Sequence, residues 1–285
     1  MKAILKKVST PPECSFTVRR DIGERMLNIW HYHPELELLY IRKSSGTWLI
    51  GDYIGPFQGG DIVLIGAHLP HSFQHEDIYI NATSETPGEA IVALFNEEIT
   101  GIATLPEMKK VQQLLQLSKR GIRTGNSISS QVAAIMEEMP AQAPGQRLLT
   151  LYHILYLIAE SGDYEMLSSE GFHYKPLPGD SQRLKVLIEH MHKHFLNKPS
   201  LEDAAAMVHM TPTAFCRYFK NKTGKTFVGF LTQLRIAYAC QLLINTDNTI
   251  TEICYECGYN TLSHFINMFK LITGKKPLEY KNYFR

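Results

Sequence analysis

The sequence predicts an α+β chain of two domains: an N-terminal antiparallel β-barrel with a helical dimerisation segment, then an all-α C-terminal domain. Three observations predict it. Between residue 15 and about residue 98, short apolar or alternating runs are separated by Gly, Pro and Asp. From about residue 106 onward, apolar residues recur at helical spacing instead. A stretch rich in Gly, Pro and Ser, residues 168–180, divides two halves of opposite charge. The chain has 285 residues, which at roughly 100–200 residues per domain fits two. The expected boundaries are 1–165, a linker over 166–180, and 181–285.

Composition narrows the class. With 44% hydrophobic and 20% charged residues, the chain is an ordinary globular one, and long disorder is excluded. No apolar run approaches the ~20 residues that span a bilayer, and the apolar stretch near the N-terminus is too short for a secretory signal. A cytoplasmic protein without membrane partners is expected. The five cysteines, Cys14, Cys216, Cys240, Cys254 and Cys257, are an odd number and are read as reduced thiols. The net charge of +1 hides an asymmetry: residues 181–285 carry 14 Lys and Arg against 7 Asp and Glu, whereas residues 1–180 carry 15 against 21. A basic domain joined to an acidic one suits a polyanionic partner for the basic half.

Taken in order, ELELLYI (35–41), GTWLIGDYIGPF (46–57) and GDIVLIG (60–66) read as strands of a sandwich or barrel. LPEMKKVQQLLQLSK (105–119), SISSQVAAIMEEM (127–139) and QRLLTLYHILYLIAE (146–160) read as helices. The last is apolar nearly all round, so it must bury itself against the sheet or a second subunit.

In SLEDAAAMVHMTPTAFCRYFK (200–220), Ser200 caps a helix whose Leu201, Ala204, Ala205 and Val208 form one apolar face. Thr211 and Pro212 then restart a second helix. Phe215, Tyr218 and Phe219 point inward, while Thr213, Cys216, Arg217 and Lys220 fall at i, i+3, i+4 and i+7 on the opposite face. An apolar docking face backed by a small, polar and basic one is the pattern of a helix-turn-helix unit, whose second helix enters the major groove. The pattern recurs in residues 249–270. There Thr249 caps, Ile250, Ile253, Cys254 and Cys257 are the apolar positions, and Gly258 permits the turn. Asn260 starts a helix with Phe265, Met268 and Phe269 inward and Leu262, Ser263, Ile266, Asn267 and Lys270 outward. Cys254 and Cys257 have no second pair nearby and sit where the helix must be apolar. They read as buried side chains rather than a metal or redox pair. Between the units, residues 226–246 form a helix of about 18 residues, ~27 Å long, able to hold two recognition helices about one DNA turn (~34 Å) apart.

The segments RYFKNKTGKTF, LTQLRIAYACQLL, NTDNTITEICYECGY and HFINMFKLITGKKPLEY resemble the arabinose-regulator (AraC/XylS) family of bacterial transcription factors, over roughly residues 183–284. The resemblance implies a seven-helix domain with two helix-turn-helix units, binding double-stranded promoter DNA as an activator, with RNA polymerase a further candidate partner. It implies base contacts from Thr213, Cys216 and Arg217, and from Leu262, Ser263, Ile266 and Asn267. An arginine is common in the family where Asn267 stands.

The N-terminal half resembles the cupin barrel often found in the same regulators, through His-Tyr-His-Pro-Glu-Leu-Glu (31–37) and GGDIVLIGAHLPHSF (59–73). His31, His33, Glu37 and His71 correspond to the four metal positions of enzymatic cupins. Two readings of them stay open: polar residues that contact a small-molecule effector such as a sugar, with Trp48 as a wall, or ligands of a metal ion. The expected function is a ligand-responsive, dimeric transcription regulator with no catalytic residues and no cofactor. The alternatives are a metal-dependent cupin enzyme with an accessory helical domain, and a regulator whose cupin only dimerises.

Overall fold

The computed structural model describes residues 4–5, 14–23, 30–75, 87–97, 99, 105–170, 172, 180–197 and 199–284. The N-terminal half contains β1 (Ile4–Leu5), β2 (Thr17–Ile22), β3 (His31–Tyr32), β4 (Leu36–Lys43), β5 (Gly46–Ile50), β6 (Tyr53–Phe57), β7 (Ile62–Ile65), β8 (His71–His75), β9 (Glu89–Phe95), β10 (Ile122–Thr124) and β11 (Tyr164–Met166). These form two sheets, in the orders β1-β3-β8-β5-β6 and β11-β10-β7-β4-β9-β2. Pairing is antiparallel except between β1 and β3. Among the described residues the sheets share no strand. The expected closed barrel is therefore corrected to an open sandwich, because the edge strand β6 packs on a helix of the second domain, not on another strand.

Period-2 alternation explains why β4 is apolar throughout. Leu36 and Leu38 point to one side, where they pack with Ile62, Leu64, Ile91 and Ala93 against α1 (Lys109–Leu117), α2 (Asn126–Glu138) and α3 (Pro144–Ser161). Leu39 and Ile41 point to the other, into the sandwich interior with Trp48, Ile50, Phe57, Val63 and Phe73. Glu37 shares the parity of Leu39 and Ile41, which places a carboxylate inside the sandwich. Helix α3 buries Leu151, Ile154, Leu155 and Ile158 beneath the second sheet and leaves Leu149 (63% exposed) and Tyr156 (44%) on its outer side.

Residues 164–169 remain attached to the sandwich. β11 pairs with β10, and the Leu167 and Ser168 amides donate to the carbonyls of Gly121 and Arg120. Most of the remaining expected linker lies outside the described residues. The second domain then runs through α4 (Asp180–His194), α5 (Leu201–Met207), α6 (Pro212–Thr223), α7 (Phe227–Asn245), α8 (Ile250–Glu256), α9 (Leu262–Thr273) and α10 (Pro277–Phe284).

One buried group is expected to make the stability of the sandwich depend on pH. His75 accepts or shares a hydrogen bond with Ser44 Oγ at 2.8 Å, and burial pushes its pKa down to about 4. A histidine depressed in the folded state contributes stability that is complete above pH 6.5 and is lost as pH falls toward 4. The full loss is about 3 kcal/mol. His75→Gln is expected to flatten the pH dependence of urea unfolding between pH 6.5 and 4. An unchanged slope would assign the acid sensitivity to other groups.

Candidate nucleic-acid interface and histidine cluster

The exposed faces of α6 and α9 are built by two helix pairs of the same construction. In the first, Ser200 caps α5, its hydroxyl accepting from the Asp203 amide at 3.0 Å. Ala204 and Ala205 are buried, and their small side chains let α6 cross closely. The turn closes through His209, whose φ of 56° is in the left-handed region, with its amide on the Ala206 carbonyl. Thr211 then caps α6 with Pro212 in the first turn. Phe215 and Phe219 are wholly buried, with ring centroids 5.5 Å apart. Thr213, Cys216, Arg217 and Lys220 are all exposed on the opposite side, as expected.

The second pair repeats this. Thr249 and Glu252 form a reciprocal capping box at the start of α8. Ile253, Cys254 and Cys257 are buried, and burial pushes the Cys254 and Cys257 thiols up, which suits inert core side chains rather than ligands. Gly258, at φ 78°, occupies the place of His209. The α9 cap is Thr261, one residue beyond the expected Asn260. Phe265 and Phe269 are buried, and Ser263, Asn267 and Lys270 are exposed. Leu262 and Ile266 are half-buried at the margin of the core.

Helix α7 joins the pairs. Phe227, Phe230, Leu231 and Leu234 in its first half belong to the core of the first pair, while Ile236, Ala239, Cys240 and Leu243 belong to that of the second. Contrary to the expectation that no apolar run approaches bilayer-spanning length, its Phe227–Ile244 segment is long and apolar enough to cross a bilayer, but most of it is buried in these two cores. Arg235 Nε donates to the Phe195 carbonyl at 3.0 Å, tying α7 to the end of α4. At 19 residues α7 is about 28 Å long, close to one turn of DNA.

In the sandwich, His31, His33, Glu37 and His71 come together, all buried, with one potential ligand atom from each lying within 4.8 Å of the others. His31 faces His71 across the β3–β8 pairing. His33 Nε2 lies 2.9 Å and His71 Nε2 3.4 Å from Glu37 Oε2. Burial would push the Glu37 pKa up. Its hydrogen bonds and charge interactions with His33 and His71 outweigh that and hold it well below the usual carboxylate range. Trp48 is fully buried in the interior, 6.4 Å from the ring of Phe73, which in turn lies 5.9 Å from that of His71.

Residues that sequence reasoning did not single out hold the two domains together. Leu49 and Ile54 of the β5–β6 hairpin, with Trp30, are buried in the same core as Phe215, Phe219 and Phe230. Nearby, Asp52 accepts hydrogen bonds from the Ser168 and Ser169 hydroxyls, both 2.7 Å. Burial raises the Asp52 pKa, but these bonds and the charge of Lys225 lower it overall. A cleft of about 500 Å³ lies between the domains, bordered by Asp52, Arg120, Arg123, Lys225, Lys275 and Tyr280. No local signal marked this contact, because its apolar members look like ordinary strand interior.

Residues 204–283 match the family model described as a helix-turn-helix domain. An uncharacterised HTH-type transcriptional regulator of Bacillus subtilis (strain 168), YdeC, is 34% identical over 101 residues, which is 35% of each chain. The HTH-type transcriptional activator RhaS of Enterobacter sp. (strain 638) is 22% identical over 256 residues, covering 88% of this chain and 86% of its own. Among solved structures, the C-terminal domain of AraT, a response regulator from Geobacillus stearothermophilus, covers 37% of this chain and 88% of its own at 29% identity, with a TM-score of 0.35.

Proposed function

We propose that the chain is a DNA-binding transcription regulator of the AraC type, in line with the helix-turn-helix match over residues 204–283 and the similarity to transcriptional regulators, that it reads promoter DNA with two helix-turn-helix units, and that it answers to an effector held in the sandwich. The observation that carries the reading is the repetition. Two helix pairs with equivalent caps, turns and phenylalanine cores present exposed polar faces from the two ends of one helix. Thr213, Cys216, Arg217 and Lys220 contact one major groove, and Leu262, Ser263, Ile266, Asn267 and Lys270 the next. Half-buried Leu262 and Ile266 are placed to meet thymine methyl groups, which need apolar contact rather than full exposure.

The proposed domains are a sensing and dimerisation domain over 1–165, a connecting segment over 166–180 whose first residues, 166–169, are held to the sandwich, and the DNA-binding domain over 181–285. The effector site is His31, His33, Glu37 and His71, with Trp48 behind them. Two copies pair through the outer side of α3, where Leu149 and Tyr156 lie two turns apart. The protein works in the cytoplasm, as an activator that contacts RNA polymerase. Effector binding shifts the population of domain arrangements, through the hairpin that joins β5 and β6 to α7.

A gel-shift titration with DNA from upstream of its own gene, against random DNA of equal length, tests this. Specific over random affinity of at least about 10³ is expected for a regulator of this kind. Equal affinity for both would leave only a polyanion-binding protein.

A further inference from the structure

We propose that the cleft between the two domains binds one small hydroxylated organic anion, a sugar-sized molecule carrying a carboxylate or a phosphate, and that this ligand ties the DNA-binding domain to the sandwich. The site is separate from the histidine cluster. It rests neither on the effector reading of that cluster nor on the reading of DNA.

The cleft encloses about 500 Å³, within the range of small-molecule sites. Part of its polar lining is already engaged. The Asp52 carboxylate accepts from the Ser168 and Ser169 hydroxyls and from the Ser169 amide. Arg123 donates twice to Asp61, at 2.7 and 3.1 Å. Three other lining groups keep unused capacity. The Arg120 guanidinium donates through Nε to the Ser168 carbonyl at 2.8 Å and through one terminal nitrogen to Met166 Sδ at 3.3 Å. Its other terminal nitrogen has no acceptor among the described residues. Lys225 is half-buried, and among the described residues no carboxylate comes within ion-pair distance of its ammonium. Burial lowers the Lys225 pKa, and the charge of Asp52 opposes that shift without cancelling it. Gln233 Oε1 is fully buried and has no hydrogen-bond partner among the described residues.

These three groups set the chemistry of the occupant. Arg120 comes from the sandwich and Lys225 from the DNA-binding domain, and both border the same cleft. An anionic group between them gains charge-assisted hydrogen bonds from each side. The guanidinium suits a carboxylate or a phosphate by shape, and the ammonium adds a point charge. Gln233 Oε1 only accepts, so it requires a donor, and a buried amide oxygen without one carries a desolvation cost. A hydroxyl supplies that donor without placing a further positive charge near Lys225. A hydrocarbon-chain carboxylate satisfies the two cations but leaves Gln233 against methylenes. A neutral sugar satisfies Gln233 but leaves the cations without an anion. A hydroxylated anion satisfies all three, and Ile54, Ile236 and Ala237 supply apolar wall for its carbon skeleton.

The position gives binding a structural consequence. Lys225 lies in the turn between α6 and α7, and Gln233 lies on α7. That turn already abuts the sandwich: a Cβ on Gly224 would stand 3.2 Å from Asp52 Cβ. At the equivalent turn of the second helix pair, a Cβ on Gly274 would meet nothing within 4 Å. The first pair is thus seated on the sandwich, while Ile272 and Lys275 of the second border the open cleft. An anion held by Arg120 and Lys225 adds a tie between the domains beside the existing contact. The docked arrangement is then harder to open.

The test is calorimetric titration of the full chain with glucose 6-phosphate and with glucuronate, paired with thermal unfolding in each. Glucose, inorganic phosphate and decanoate are the comparison ligands. At least one of the two anionic sugars is expected to bind saturably, one per chain, at least tenfold tighter than every comparison ligand, and to raise the unfolding midpoint. Whichever of the two binds tighter assigns the anionic group as phosphate or carboxylate. Arg120→Gln and Lys225→Met are each expected to weaken binding at least tenfold. Gln233→Leu, close in volume, is expected to remove the advantage over inorganic phosphate or decanoate, while Lys276→Ala, at an exposed position, changes nothing. No saturable binding of either anionic sugar by the wild-type chain would overturn the proposal. So would decanoate binding as tightly as they do, or unchanged affinity in all three cleft variants. The comparison among ligands needs only the wild-type chain, so it decides the matter even where a variant fails to fold. None of these readouts involves DNA.

Discussion

Phe219→Ala is expected to destabilise the C-terminal domain by about 3–5 kcal/mol, the range for deleting a buried phenyl ring that its surroundings cannot refill. The ring of Phe219 is wholly buried and meets Phe215, Phe227 and Phe230 at centroid distances of 5.5, 5.9 and 5.4 Å. Three of these rings come from two helices, so the cavity cannot close by moving one of them alone. Against a typical domain stability of about 5–15 kcal/mol, the loss is a large share. The second helix pair has its own core around Phe265 and Phe269. Binding is therefore expected to fail first at the half-site read by α6. Urea unfolding of wild type and variant checks the stability, and a footprint checks the half-site. A loss below about 1 kcal/mol would mean that the aromatic cluster does not hold the first helix pair in place.

Arg217→Ala is expected to act on recognition rather than on stability. Arg217 is exposed on the face of α6 opposite Phe215 and Phe219, so its removal leaves the fold intact. A guanidinium reaching guanine O6 and N7 contributes about 1–3 kcal/mol of discrimination. Affinity for the specific site should fall by that amount, with one base position relaxed and affinity for random DNA little changed. An equal loss on specific and random DNA would make Arg217 a phosphate contact instead.

The second domain was legible because its signals are local. Caps at Ser200, Thr211 and Thr249, and helix-spaced phenylalanines, each depend on residues a turn or two apart. One slip there, a cap at Thr261 rather than Asn260, reflects two adjacent capping residues of similar propensity; another is that Leu262 and Ile266, expected outward, are half-buried at the margin of the core. The sandwich was legible only in part. Alternation marks the strands but not which edges meet, so an open sandwich and a closed barrel read alike. The pairing of His31 with His71 joins residues 40 positions apart, and only the spacing from His31 to Glu37 was visible locally. The docking of Leu49 and Ile54 on α7 left no trace in the sequence, because both interfaces and cores ask for the same apolar side chains. Asp52 reaches Ser168 across 116 residues, a separation no local pattern spans.

The most direct measurement of the central account is binding selection on a DNA library randomised over two successive major grooves, run with the wild-type chain and with Asn267→Arg. An asparagine offers an acceptor and a donor in one plane that complement adenine N7 and N6, whereas an arginine complements guanine. The account predicts two enriched half-sites about one helical turn apart, one containing a guanine read by Arg217 and the other A·T-rich. It further predicts that Asn267→Arg moves one position of the second half-site from A toward G and leaves the first half-site unchanged. Enrichment of a single half-site by the wild type, or identical selections by the two proteins, would contradict the reading of successive grooves by α6 and α9.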